Sequence, residues 1–245
     1  MIEVNNLIKI LKKNKISFFT GVPDSVLKQL SLFFKDKNKN EHIVAANEGT
    51  AVSLGVGYHL ATNKLPCIYM QNSGLGNAIN PLISICHKKI YSIPMLIIIG
   101  WRGSPGSKDE PQHMVKGAIT QKLLKLCGIK HLVVNKNQDL KKLTSLIKFS
   151  KKNNSPVACL FKMNVFKSNL KPKKIFTKYS IQRNEFIYSF LKEIPKNSKI
   201  IATTGFTARE LYQTREKNNF IKGDDFYMVG GMGHTSSVGL GMSLK

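Results

Sequence analysis

Apolar residues at Ile2, Leu7, Ile8 and Leu11 recur at helical spacing, which predicts an amphipathic helix at the start of the chain. The apolar run at 16–20 has the length of a strand, and Pro23-Asp24-Ser25 opens a second helical pattern through Phe34. The alternation continues with a strand at 42–46, a helix at 48–61, a strand at 66–70, a helix at 76–86 and a strand at 93–100. A long loop follows, and then a helix at 118–127, a strand at 131–134, a helix at 138–150 and a strand at 156–161. Parallel neighbours can be joined only by a crossover that covers a sheet face. Strict strand–helix alternation therefore predicts an α/β fold with a doubly wound parallel sheet.

The rhythm breaks at 167–180, a polar, proline-bearing stretch that has the composition of a linker. Beyond it a helix at 182–192, a strand at 199–203, a helix at 207–214, a strand at 226–229 and a helix opened by 234–238 begin a second α/β domain. The expected organisation is a first domain at 1–166, a linker at 167–180 and an incomplete second domain at 181–245. So few elements cannot cover both faces of a parallel sheet.

In open parallel sheets ligands bind beyond the carboxyl ends of the strands. Four unusual stretches fall there: Gly21-Val-Pro-Asp24, Asn47-Glu-Gly49, Gln71-Asn-Ser-Gly-Leu-Gly-Asn77 and the loop from Trp101 to His113. Turn chemistry alone can also produce such loops. Glu48 stands out, because it is the sole formally charged residue between Glu41 and Lys64. A carboxylate alone in an apolar segment needs a specific partner, and the expected partner lies outside the protein. A helix-start glutamate favouring the dipole is the plainer alternative. Gly74-Leu-Gly76 follows a strand and opens a helix, but Ile79 stands where a dinucleotide fingerprint needs its third glycine.

Composition removes several classes. The chain carries 38 basic and 14 acidic side chains, for a formal net charge of +24. Only Arg102, Arg183, Arg209 and Arg215 of the basic set are arginine, and the lysines are scattered without interleaved aromatics. Nucleic-acid recognition favours arginine and stacking residues, so it is not the expected role. No run approaches the roughly 18 to 20 apolar residues of a membrane helix, and the first 15 residues lack a signal peptide's apolar block, so the expected location is the cytoplasm. Cys67, Cys86, Cys127 and Cys159 are widely spaced with no metal-ligand pattern, as expected of inert core thiols.

The blocks GVPDS at 21–25, ANEG at 46–49, GYHLAT at 57–62, YMQNSGLGN at 69–77, YSIPML at 91–96, GWRG at 100–103 and DEPQH at 109–113 together resemble the phosphonopyruvate decarboxylase family of thiamine-diphosphate enzymes. Thr204-Gly205, Arg209-Glu210 and Gly230-Gly-Met-Gly-His234 continue the resemblance, and sulfopyruvate decarboxylase shares much of the pattern. The resemblance implies a thiamine-diphosphate-binding fold of the pyrimidine type and decarboxylation of a small 2-oxo acid. It also implies that Glu48 contacts N1′ of the cofactor's aminopyrimidine. Asn72, Gly230 and Met232 would bind the cofactor as well, the Gly230 carbonyl accepting from the 4′-amino group and Met232 wedging beneath the ring. Ser73, Asn77, Arg102 and Lys108 are candidates to hold the substrate's anionic end. Asp24 and His113 are candidates to handle protons. Gly49, Ser53 and Gly57 lie four apart on one helical face, and in thiamine enzymes such helices pack between subunits, implying a homo-oligomer.

One motif of the family is missing. Magnesium and diphosphate are held by a G-D-G string, and the nearest match, Gly223-Asp-Asp225, lacks the second glycine. No metal ligand is therefore assigned, the Mg2+ motif is expected beyond Lys245, and residues 1–245 are expected to bind thiamine diphosphate weakly by themselves. A noncatalytic pyrimidine-domain module is the alternative from another class.

Overall fold

The computed structural model describes residues 1–35, 37–167, 178–220 and 225–244. The chain divides into two compact units, Met1–Lys173 and Lys174–Lys245. Most of the expected linker, 168–177, lies outside the described residues, as do Gly223 and Asp224 of the near-match to the magnesium motif.

In the first unit, strands β1 (Phe19–Gly21), β2 (His42–Val44), β3 (Cys67–Gln71), β4 (Leu96–Trp101), β5 (Lys130–Val134) and β6 (Val157–Lys162) form one parallel sheet in the order β2-β1-β3-β4-β6-β5. Helix α1 (Val4–Lys13) precedes β1, and the crossovers are α2 (Lys28–Phe34), α3 (Glu48–Thr62), α4 (Leu75–Pro81), α5 (Pro111–Leu126) and α6 (Lys141–Asn153). From β1 the chain winds outward to β2, then returns past β1 to β3. The crevice between the ends of β1 and β3 is thus where the winding reverses, the usual ligand position in such sheets.

The uninterrupted apolar run of β4 follows from burial on both faces. Leu96 and Ile98 join Leu7, Leu11, Leu30, Phe34, Leu143 and Ile147 in one core. Ile97 and Ile99 join Val52, Leu75, Leu82 and Leu124 in the other. Each such side chain contributes about 1.5–3 kcal/mol when fully buried. The start of the chain is tied into this unit, because Ile2 N donates to Val165 O at 2.7 Å and Lys167 N to Ile2 O at 2.9 Å.

Of the boundaries that differ from expectation, three have a clear local cause. Helix α5 starts at Pro111, not near 118, because proline suits a first helical position where no N–H partner is needed; His113 therefore sits in its first turn. Helix α2 starts at Lys28, since Asp24 Oδ2 accepts from Leu27 N at 3.2 Å and holds residues 24–27 as a turn. The predicted helix at 76–86 is α4 followed by a wider π turn, Leu82–Cys86. Pro81 supplies no N–H to the helical ladder, which breaks the regular pattern there.

The second unit holds α7 (Arg183–Glu193), β7 (Ile201–Ala202), α8 (Phe206–Lys217), β8 (Phe226–Tyr227) and α9 (Thr235–Ser243), with β7 and β8 paired in parallel. Ile187, Leu191, Ala202, Ala208 and Leu211 form its core. Buried Asp225 ties the pair together: it takes Arg215 as an ion pair and accepts from Ile200 N at 3.2 Å and from Tyr227 Oη at 2.9 Å.

Candidate active site

Two buried carboxylates stand at the strand-end edge of the first unit. Glu48 is the first residue of α3, whose N-cap Asn47 accepts from Thr50 N at 2.9 Å. A carboxylate suits that end of a helix dipole. Its side chain is only 6% exposed, and Asn77 Nδ2 donates to its Oε2 at 2.8 Å. This corrects the expectation of a partner solely outside the protein: α4 supplies one. A Cβ on Gly74 would overlap Oε1, Cδ and Cγ of Glu48, so the carboxylate rests on bare backbone.

Asp24, 7% exposed, follows β1. Its Oδ1 accepts from Gln71 Nε2 at 2.6 Å, and Gln71 Oε1 in turn accepts from Ser73 Oγ at 2.6 Å. Its Oδ2 lies where a Cβ on Gly100 would be. Burial pushes the Asp24 carboxyl group up from its ordinary value, against the opposing hydrogen bonds from Gln71, Val26 and Leu27 and the charge of Arg102.

The other expected residues take defined places. Asn72 is buried, and its side chain is engaged within the fold: Nδ2 donates to Arg102 O and Thr120 Oγ1, each at 3.0 Å, and Oδ1 accepts from Arg102 N at 2.9 Å. It joins the ends of β3, β4 and α5 and is a structural bracket. Arg102 is paired with Asp109 through both its Nε, at 2.7 Å, and its Nη2, and its Nη1 lies 3.4 Å from Ser25 Oγ. The guanidinium holds the Asp109 carboxyl group well below the usual carboxylate range. Ser73 is engaged with Gln71 and Asn77 with Glu48, so three of the four expected anion contacts already have protein partners. Lys108 is exposed. His113 is half-buried with its Nδ1 buried and without a hydrogen-bond partner. Burial first, and then Arg102, push its imidazole down. Gly230 and Met232 belong to the second unit, in the turn before α9, where Met232 is 55% exposed.

Sequence reasoning missed Gln71, Gly74, Gly100 and Asp109 as site-building residues. A polar last residue on an otherwise apolar strand was the available signal for Gln71. Among the described residues no helix is long and apolar enough to cross a membrane, and no cluster of three or more His, Cys, Asp or Glu could hold a metal ion.

Residues 4–124 match the family described as thiamine pyrophosphate enzyme, N-terminal TPP binding domain. The first unit has the α/β fold of that pyrimidine-type domain. Along its whole length the chain is similar to phosphonopyruvate decarboxylase of Streptomyces viridochromogenes, with 31% identity over 261 residues that cover 100% of this chain and 64% of the relative. It is also similar to sulfopyruvate decarboxylase of Methanosarcina acetivorans, with 27% identity covering 98% of this chain and 64% of that protein. The chain therefore spans less than two thirds of the length of these curated relatives. In fold it matches the thiamine diphosphate-dependent 4-hydroxybenzoylformate decarboxylase of Rhodococcus jostii RHA1, with a TM-score of 0.50 and 14% identity over 88% of this chain and 41% of the other.

The residues present fit the aminopyrimidine end of thiamine diphosphate. A buried carboxylate at a helix start, with one oxygen engaged by an amide and the other seated on glycine backbone, can accept from a protonated ring nitrogen.

Proposed function

We propose that this chain serves the decarboxylation of 3-phosphonopyruvate to phosphonoacetaldehyde and carbon dioxide, with thiamine diphosphate and Mg2+, in phosphonate biosynthesis in the cytoplasm. The observation that carries this reading is Glu48, buried on Gly74 and fixed by Asn77 beside the β1/β3 crevice. Thiamine diphosphate bound there would supply a cationic ring that acts as an electron sink for the pair left on the substrate by departing carbon dioxide.

Each residue has a part in this reading. Glu48 shares a proton with the ring nitrogen N1′. Asp24 and His113, both held near Arg102, exchange protons as the aldehyde is released. Lys108 and Arg102 meet the phosphonate, and Arg102 must share itself between substrate and Asp109. Gly230 and Met232, in the turn before α9, are the further candidates to contact the cofactor. Among the described residues no Mg2+ ligand is assigned.

A homo-oligomer with α3 and α4 between copies is part of the proposal. Their exposed residues include Asn47, Thr50, Ser53, Gly57, Gly76, Asn77 and Asn80, none of them charged, in a chain of net charge +24. A side chain on Gly57 would meet nothing within 4 Å, which leaves room for another backbone.

The test is turnover of phosphonopyruvate and sulfopyruvate side by side, with thiamine diphosphate and Mg2+, read as carbon dioxide and the matching aldehyde. Preference for phosphonopyruvate supports the proposal. Turnover of sulfopyruvate alone would favour the second reading, which the similarity to the Methanosarcina acetivorans protein supports. Turnover of neither with thiamine diphosphate bound would leave a noncatalytic module.

A further inference from the structure

We propose that Gln71 is a positioning residue that fixes the carboxyl group of Asp24 at the β1/β3 crevice and ties it to Ser73 through a single amide. The inference rests on the decarboxylase reading, in which Asp24 exchanges a proton. Gln71 is the last residue of β3, and Asp24 follows the end of β1. The two therefore meet across the point where the chain's winding reverses.

The orientation of the amide follows from its second contact. Ser73 Oγ donates to Gln71 Oε1 at 2.6 Å, so the opposite end of the amide is the NH2 group. That group donates to Asp24 Oδ1 at 2.6 Å. The remaining oxygen, Oδ2, accepts from Leu27 N and lies on Gly100, where any side chain would overlap it. Asp24 is thereby clamped at both oxygens, one by backbone before α2 and one by Gln71. An amide does not take up a proton at ordinary pH, so Gln71 acts through the carboxyl group it holds.

This contact also influences how readily Asp24 keeps its proton. Burial favours the neutral acid, whereas the Gln71 amide donates to the ionised form and opposes that. Arg102 acts in the same direction as Gln71, and is itself paired with Asp109. His113 faces the same arginine and is held toward its neutral form.

The chain has six aspartates, few enough for each carboxyl carbon to be followed by NMR after isotope labelling, with Asp24→Asn assigning the signal. In the full chain, Gln71→Met keeps the approximate volume and removes both polar atoms. Asp24 should then titrate at higher pH than in the wild type; an unchanged or lower midpoint overturns the proposal. Ser73→Ala frees Oε1 and lets the amide turn, so it should move Asp24 upward by less. This variant decides the matter if Gln71→Met does not fold, and an unmoved midpoint again overturns the proposal. With phosphonopyruvate, thiamine diphosphate and Mg2+, Gln71→Met should lower kcat with KM held, and move the acidic limb of the kcat profile upward. An unmoved limb overturns the positioning role. Absence of turnover in the wild type with thiamine diphosphate bound overturns the decarboxylase reading instead, while the carboxyl titration still decides what Gln71 does to Asp24.

Discussion

The carboxylate of Glu48 occupies the space in which a side chain on Gly74 would begin. Glycine is required there by the close approach of the acid and not by backbone conformation. The loop after β3 has thus been left bare where the first turn of α3 delivers its only charge.

Replacing either member should separate stability from chemistry. Gly74→Ala forces Glu48 out of its seat, an overpacking defect of about 1–3 kcal/mol, and should lower both the urea midpoint and turnover. Glu48→Gln keeps the shape, and should leave the midpoint nearly unchanged while cutting decarboxylation about 10²-fold or more. Near wild-type turnover in Glu48→Gln would remove the acid from its proposed role.

Acid stability should depend on the Arg102–Asp109 pair. The folded-state value of Asp109 is depressed below that of the unfolded chain. Its contribution is therefore present above the ordinary carboxylate range and is lost as pH falls through the lower, folded value. Arg102→Gln should move acid unfolding, followed by circular dichroism, to higher pH. Coincident acid transitions in the two proteins would show that the pair adds no net stability.

Three of the four thiols should be silent in the folded protein. Cys67, Cys86 and Cys159 have no exposed surface, and burial pushes the Cys86 thiol up to about 12, and Cys67 and Cys159 higher still. Because the thiolate is the reactive form, a disulfide reagent at mildly alkaline pH should modify Cys127 first and the other three only on unfolding. Rapid native-state reaction of Cys67 or Cys159 would contradict the buried placement.

In the second unit, Asp225→Ala should cost about 3–5 kcal/mol, because it takes the buried carboxylate away from a buried guanidinium. The loss should appear as selective release of amide-exchange protection in β7 and β8, with β3 and β4 still protected. Unaltered protection in β7 and β8 would show that Asp225 does not hold the pair.

Much of the first unit was legible because its signals are local. The unbroken Leu96–Ile99 run has a clear physical cause in two-sided burial, and Asn47-Glu48 marks the start of α3. The start of α5 was misplaced because Glu110-Pro111 lies in a polar stretch, where apolar period is silent and the proline at the first helical position carries the signal. Asn72 illustrates the limit at the site: its residue type suits ligand binding, yet its contacts are to Arg102, thirty positions away, and Thr120, forty-eight away. No local pattern encodes such partners.

What the sequence determined by itself was the alternation of elements, the parallel sheet they require and the isolation of Glu48, since hydrophobic period and charge spacing act within a few residues. Which polar groups are already engaged was decided only by tertiary structure. Arg102 meets Asp109, Asn77 meets Glu48 and Gln71 meets Asp24 because the crossovers bring separate strand ends to one edge. Hydrogen-bond partnership there is a matter of distances of about 3 Å, which residue spacing along the chain does not specify.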